Sequence, residues 1–223
     1  MAAVLITPAV RAAAPPGVDP DEFGLAVAED SCDLVAELEV VTPVIAISQD
    51  AQQEFGEQAV RELAWPGTAM IRLEPVGRAG LGLVAQTLRA LTALGAMQGV
   101  VIAADAPDLP LLLIGKLLRA LGGATRRGDV AVCPAEGGGL VALAAWLPVA
   151  DWVAGTVPAA DPSRAPAELD IADATDRLRL GAPRRSALQV VPGWHRLRTT
   201  EDVGRLDPGL EGWPATRSLL RSG

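Results

Sequence analysis

The chain has 223 residues, half of them hydrophobic, with 19 Lys and Arg against 27 Asp and Glu and a formal net charge of −8. At roughly 100–200 residues per domain, this is one sizeable domain with ample apolar material for a core, which excludes intrinsic disorder. The acidic balance argues against a nucleic-acid partner, and His195, the single histidine, excludes a multi-histidine metal centre. Lys116 is the only lysine, and Tyr and Asn are absent, so no other lysine can form a Schiff base and no tyrosine can act as an acid. Cys32 and Cys133 are too few for a zinc site or a disulfide scaffold and are expected to be buried small hydrophobes. MAAVLITPAV lacks the basic flank and long apolar run of a signal peptide, and no apolar run reaches the ~18 residues of a membrane span. The expectation is a cytoplasmic protein without a membrane span; the composition leaves its oligomeric state open.

In chain order, Val4–Thr7 reads as a buried strand ended by Pro8. Asp19-Pro20-Asp21-Glu22 combines an acidic cap, a first-turn proline and negative charge at a helix start, so Glu22–Leu38 is predicted helical. Val40–Ser48 reads as a strand, Gln52–Leu63 as a helix and Ala69–Leu73 as a short strand. Leu83–Leu94 is a helix, and Gly99–Ala104 is the most apolar strand. Leu111–Leu121 is a helix, Val130–Cys133 a strand, and Leu140–Trp146 a further strand. Pro148–Pro166 resembles a surface excursion. Ala167–Leu180 is predicted helical, Leu188–Val191 a short strand and Thr200–Leu206 a short helix. Alternating strands and helices predict a three-layer α/β/α sandwich around a mainly parallel, Rossmann-like sheet. Residues 1–223 are read as a single domain whose last third, from about 147, is an acceptor-side excursion with closing helices.

In open α/β sheets ligands bind beyond the carboxyl ends of strands. That places attention on Thr7 and Pro8 at the first strand's exit, on Asp105-Ala106-Pro107-Asp108 after the Gly99–Ala104 strand, and on Glu136-Gly137-Gly138-Gly139. Asp105 is a candidate for contact with a hard cation such as Mg²⁺ or Mn²⁺. The alternative is that Asp105 or Asp108 caps the following helix, a reading that suits Asp108 best. The glycines of 137–139 either admit a sugar or phosphate to the backbone or form a flexible turn. Gly80 and Gly82 before a helix either offer amides to an anion or form a turn. His195 is expected to be a packing or hydrogen-bonding residue. Arg126-Arg127 and Arg184-Arg185 are expected to be solvated.

The order strand–Asp-x-Pro-Asp-Leu, then Pro-Ala-Glu before glycines, then Pro-Gly-Trp leading to Thr-x-Glu-Asp resembles a family of bacterial glycosyltransferases. These have the GT-A, nucleotide-diphospho-sugar transferase fold and are related to molybdenum-cofactor nucleotidyltransferases and phospholactate guanylyltransferases. The resemblance spans roughly Val4 to Leu206. It implies a nucleotide or nucleotide-sugar donor and transfer of a glycosyl or nucleotidyl group. Asp105 would act beside the donor phosphates and any metal, Glu136 near the acceptor, and Asp108, Gly137, Gly138 and Gly139 as substrate contacts. Thr7, Pro8, Gly80 and Gly82 would be nucleotide contacts. The chain departs from the family pattern in several places. Its N-terminal loop has only Arg11 where the family reads K-T-R-L. Ala79–Val84 lacks the acids and Arg of G-D-L-G-E-R. Gly137 and Leu140 replace an Asp and an aromatic, and Arg196-Leu197-Arg198 stands where the family reads D-V-D. The exchange leaves Arg196 and Arg198 as candidate phosphate contacts in place of a metal, because guanidinium binds phosphate bidentately. Three readings follow: a diverged transferase, active with Mg²⁺ or Mn²⁺, active without a metal, or inactive; a non-catalytic binding or interaction module that keeps the fold; and a nucleotidyltransferase acting on a small phosphorylated metabolite.

Overall fold

The computed structural model describes residues 1–39, 41–75, 81–122, 128–154, 168–210 and 212–222. Seven strands form one sheet: β1 (Ala2–Ile6), β2 (Pro43–Ser48), β3 (Ala69–Leu73), β4 (Gln98–Ala103), β5 (Val130–Pro134), β6 (Leu140–Trp146) and β7 (Leu188–Val190). Their order is β3-β2-β1-β4-β6-β5-β7. The pairs β1–β2, β2–β3, β1–β4 and β5–β7 are parallel, and β6 alone runs antiparallel to its neighbours β4 and β5. The sheet is therefore mainly parallel, as the alternating pattern predicts. Leu140–Trp146 reverses because only a short glycine loop joins it to β5, and a loop that short permits a hairpin but no crossover.

The central strands are apolar on both faces, and helices cover both. One face packs against α1 (Pro20–Ala36), α2 (Gln49–Phe55), α3 (Glu57–Glu62) and α5 (Leu111–Leu121) through Ala28, Cys32, Ala51, Val60, Ile114 and Leu117. The other packs against α4 (Leu83–Ala93), α6 (Asp151–Ala154) and α7 (Ala174–Gly181) through Val84, Leu88, Leu91, Val153 and Leu178. The crossover from β1 to β2 thus lies on one face and that from β3 to β4 on the other. The strand order reverses between β1 and β4, which makes their carboxyl ends the topological switch point where ligands bind in such sheets.

The α1 start forms as its residues predict: Pro20 occupies the first turn and Asp19 accepts from the amides of Asp21 and Glu22. The predicted Gln52–Leu63 helix is two helices, because Gly56 breaks it at φ +81, a left-handed value that suits glycine. The predicted Ala167–Leu180 helix begins only at Ala174, and Thr200–Arg205 is a 3-10 turn closed by a Thr199–Asp202 capping box. Gly80, Arg126, Arg127 and most of the Pro148–Pro166 excursion lie outside the described residues. Both cysteines are buried, and burial pushes the Cys133 thiol up to about 12. Among the described residues no helix is long and apolar enough to cross a membrane.

A helix that the pattern did not announce, α8 (Pro214–Ser222), closes the chain. It packs beside α1 through a third apolar cluster that includes Phe23, Val27, Leu197, Leu206 and Trp213. Its first-turn amides are satisfied from another element. The buried Asp30 carboxylate of α1 accepts from Ala215 N at 2.9 Å and Thr216 N at 2.8 Å. This is a helix cap supplied about 185 residues away, and losing it should cost as much as an ordinary one. Asp30→Ala is expected to lower unfolding free energy by about 1–2 kcal/mol in urea titrations, with amide exchange rising first in 214–222.

Candidate functional site

Asp105 leaves the end of β4 at the switch point, where its side chain is only 1 % exposed. Its partner comes from the Pro-Gly-Trp segment: Arg196, 4 % exposed, faces it in a bidentate pair. Arg196 Nε donates to Asp105 Oδ1 at 2.5 Å and Nη2 donates to Oδ2 at 2.8 Å. The remaining donors are also taken. Nη1 donates to the carbonyls of Leu140 at 3.0 Å and Leu169 at 3.2 Å, and Nη2 pairs with Asp170 at 2.8 Å. A guanidinium carries five N–H groups, and each of these has an acceptor within the chain. Burial pushes the Asp105 carboxyl up, opposed by the guanidinium, while the two neighbouring carboxylates hold Arg196 protonated against its own burial. A main-chain bond from Leu197 N to Asp105 O at 2.8 Å ties the two segments together.

This donor set does not fit a divalent cation. Both Asp105 oxygens face a guanidinium, and a second arginine, Arg198, adds positive charge beside it. Among the described residues no group of three or more His, Cys, Asp or Glu could hold a metal ion. Arg198 is turned inward as well. Its Nη1 donates to Gly138 O at 2.7 Å, its Nη2 lies 3.8 Å from Asp170, and burial beside Arg196 lowers its proton affinity.

Asp108 does not cap α5. That helix starts after Pro110 with no side-chain cap, and the Asp108 carboxylate is used by the C-terminal segment instead. It accepts from Trp194 Nε1 at 3.1 Å and Asp207 N at 3.3 Å, and lies 3.1 Å from His195 Nε2. His195 is buried and stacked on Trp194 at 5.0 Å, which agrees with a packing role. Glu136 is half exposed, and Arg205 of the Thr200–Arg205 turn pairs with it. Thr7 leads into a 3-10 turn at the β1 exit, and Arg11 in that turn is paired with Asp21 and Glu54.

The glycine loop is filled by the chain itself. Residues 168–172 run across it as a strap: Gly139 N donates to Ala172 O at 2.9 Å and Leu140 N to Leu169 O at 2.8 Å. Gly139 has φ +80, and a Cβ there would sit 2.5 Å from Leu169 O. A Cβ on Gly138 would meet Ala172 O at 3.1 Å. Close approach of backbone to these glycines is thus real, and the backbone that approaches is the protein's own. Gly82 stands just before α4 and offers no side-chain cap. Glu168 of the same strap has its Oε1 buried without a hydrogen-bond partner, and burial, then Asp170, push its carboxyl up to about 7.

No known family profile matches the chain, and no curated protein matches it in sequence. Solved structures do. A candidate nucleotide-diphospho-sugar transferase from Desulfovibrio desulfuricans G20 aligns with a TM-score of 0.65 at 16 % identity, covering 99 % of this chain and 92 % of that one. A cytidylyltransferase from Leptospira borgpetersenii gives 0.56 at 8 % identity over 99 % and 92 %. The 4-diphosphocytidyl-2C-methyl-D-erythritol synthase of Anaerococcus prevotii gives 0.52 at 14 % identity over 99 % and 96 %. The chain has the nucleotide-diphospho-sugar transferase fold. At these identities the likeness concerns the fold alone.

Within that fold, the structure brings Asp105, Arg196, Arg198, Gly138 and Gly139 together at one edge. Asp108 lies behind them, holding the Trp194–His195 segment. Asp170 and Glu168 join this cluster from a segment whose pattern predicts a helix, which begins only at Ala174. No spacing signal marks them, because Leu169 and Asp170 form a turn rather than a strand or helix. Arg196→Met should leave Asp105 buried and unpaired, at a cost of about 3–5 kcal/mol in denaturant unfolding. Adding Asp105→Asn to that variant should restore part of the loss, since the stranded charge is then gone.

Proposed function

We propose that this chain is a diverged nucleotide-diphospho-sugar transferase-like protein that binds a nucleotide or nucleotide-sugar donor at the carboxyl edge of β1 and β4. Any glycosyl or nucleotidyl transfer there would proceed without a divalent metal on Asp105. The observation that carries the metal-free part is the full use of both Asp105 oxygens by Arg196. The donor class rests on the fold, on the switch-point position of the site, and on the nucleotide chemistry named for the Desulfovibrio, Leptospira and Anaerococcus proteins. In this reading the backbone at Thr7, Pro8 and Gly82 meets the donor, and Glu136 and the Gly137–Gly139 loop border the acceptor. Asp105 acts as the anchor of Arg196 rather than as a metal ligand. Arg196 is spent on Asp105 and Asp170, and Arg198, whose buried Nη2 has no hydrogen-bond partner, is the cation that meets donor charge in place of a metal.

A second reading is a binding or interaction module that keeps the fold without catalysis. It is favoured by the closure of every Arg196 donor within the protein, which leaves no free N–H on that guanidinium for a donor phosphate. The two readings divide on product formation once a donor is bound.

The test is a thermal-shift and calorimetric screen of nucleoside triphosphates and nucleotide sugars, each in EDTA and in Mn²⁺. Binding at a hundredfold excess over Kd stabilises the folded state by about 2.7 kcal/mol, a shift easily read. At least one donor is expected to raise Tm equally in both conditions. No shift with any donor would end the nucleotide reading. A shift seen only with Mn²⁺ and lost in Asp105→Asn would end the metal-free reading.

A further inference from the structure

We propose that the Asp170 carboxylate is a built-in competitor for a ligand's phosphate group. It occupies, between Arg196 and Arg198, the position that a phosphate oxygen takes.

Two guanidiniums converge on this position. Arg196 Nη2 lies 2.8 Å from Asp170 Oδ1, and Arg198 Nη2 lies 3.8 Å from the same oxygen. The first distance is that of a hydrogen bond and the second is too long for one. Arg198 Nη2 is shut off from water and has no hydrogen-bond partner. Its sister nitrogen Nη1 donates to Gly138 O at 2.7 Å, which fixes the guanidinium where it stands. Asp170 therefore satisfies one fork and leaves a buried donor of the other unmatched, so it is an incomplete occupant. A phosphate presents three strong acceptor oxygens and can take hydrogen bonds from both guanidiniums.

The charges favour the same exchange. Asp105 and Asp170 balance Arg196 and Arg198. Asp105 is buried with both oxygens bound, and cannot give way. Asp202, a further acid near Arg198, is spent on the amides of Arg198 and Thr199. Asp170 is the most exposed of the four charges, at 58 % of its side chain. Its withdrawal leaves one net positive charge and turns an N–H of Arg196 Nη2 and the Nη2 of Arg198 toward an incoming anion.

The strap itself does not depend on Asp170. Leu169 is buried in the apolar core of its sheet face. Its carbonyl accepts from Leu140 N and Arg196 Nη1, and Ala172 O accepts from Gly139 N. The contest is thus between one side chain and the ligand, with the main chain of residues 169–172 in place throughout. This deepens the nucleotide reading above and rests on it for the source of the phosphate. The anion position itself can be measured without a nucleotide.

The experiment is calorimetric titration of the full chain with inorganic pyrophosphate in EDTA, on the wild type, Asp170→Ala, Asp170→Asn and each of these combined with Arg198→Met. Removing a negative charge about 4 Å from the anion is expected to tighten Kd about tenfold in Asp170→Ala. Asp170→Asn, which keeps the shape and loses the charge, is expected to gain less. With Arg198→Met the gain is expected to vanish. Amide exchange at Gly139 and Leu140 is expected to match the wild type in both single variants. If Asp170→Ala does not fold, Asp170→Asn and its combination carry the comparison. Equal binding by the wild type and the single variants, including none by any of them, or a gain that survives Arg198→Met, would overturn the proposal. Nucleoside triphosphates and nucleotide sugars titrated alongside separate it from the nucleotide reading. Pyrophosphate bound more tightly by Asp170→Ala, with no nucleotide bound by any form, ends the nucleotide reading and leaves the anion position standing. Nucleotide bound equally by the wild type and Asp170→Ala ends the anion position and leaves the nucleotide reading standing.

Discussion

The pairing of Asp105 with Arg196 is the constraint on which the rest of the site depends. Two charges are taken almost wholly out of water, which is costly unless every donor and acceptor is matched. Here the matching recruits four parts of the chain: the β4 exit, the first residue of β6, the strap and the Pro-Gly-Trp segment. Moving any one of them would strand a buried polar group. The pair therefore works as a joint as much as a charge contact. It fixes where the C-terminal segment crosses the sheet edge and so where Asp108 can receive Trp194 and His195.

Much of the sheet was legible because buried strands write themselves in apolar runs. The runs in β3, α5 and β6 match their observed limits, and the apolar Gly99–Ala104 run marks the strand that carries Asp105. The position of Asp105 at the edge followed from that alone. Its environment did not follow. A sequence displays residue types, and the same Asp-x-Pro-Asp could have faced a cation, a helix end or an arginine 91 residues away. Asp108 is the instructive case: it stood near a helix start, but Pro110 already begins that helix, and the carboxylate found the indole of Trp194 instead. The helix α8 was missed because its amide cap, Asp30, lies on α1 rather than before it.

The glycine loop joins these observations. Glycines that admit a ligand and glycines that admit another stretch of backbone have the same sequence signature, since both need only the absence of Cβ. Gly138 and Gly139 face the carbonyls of Ala172 and Leu169, so the strap lies where a ligand would approach. Its two acids then face opposite fates. Asp170 pairs with Arg196 and lies 3.8 Å from Arg198, whereas the buried Oε1 of Glu168 has no partner. The strap is consequently held through residues 169–172 rather than through Glu168.

The scarcity of lysine acquires a structural meaning at position 196. Only Lys116 is lysine in this chain, and a bias toward arginine in the coding sequence would account for most of the other cations. It cannot account for what Arg196 does. The acceptors around it are Asp105 Oδ1 and Oδ2, Asp170 Oδ1 and two carbonyls, spread around a planar fork. An ammonium has three donors converging on one nitrogen and would leave two of those five contacts unmade. Elsewhere on the surface, as at Arg179 beside Asp176, an exposed pair of either kind contributes little. Composition alone treats these arginines as equivalent. Burial separates them, and at 196 it makes the guanidinium a geometric requirement of the fold as well as a source of charge.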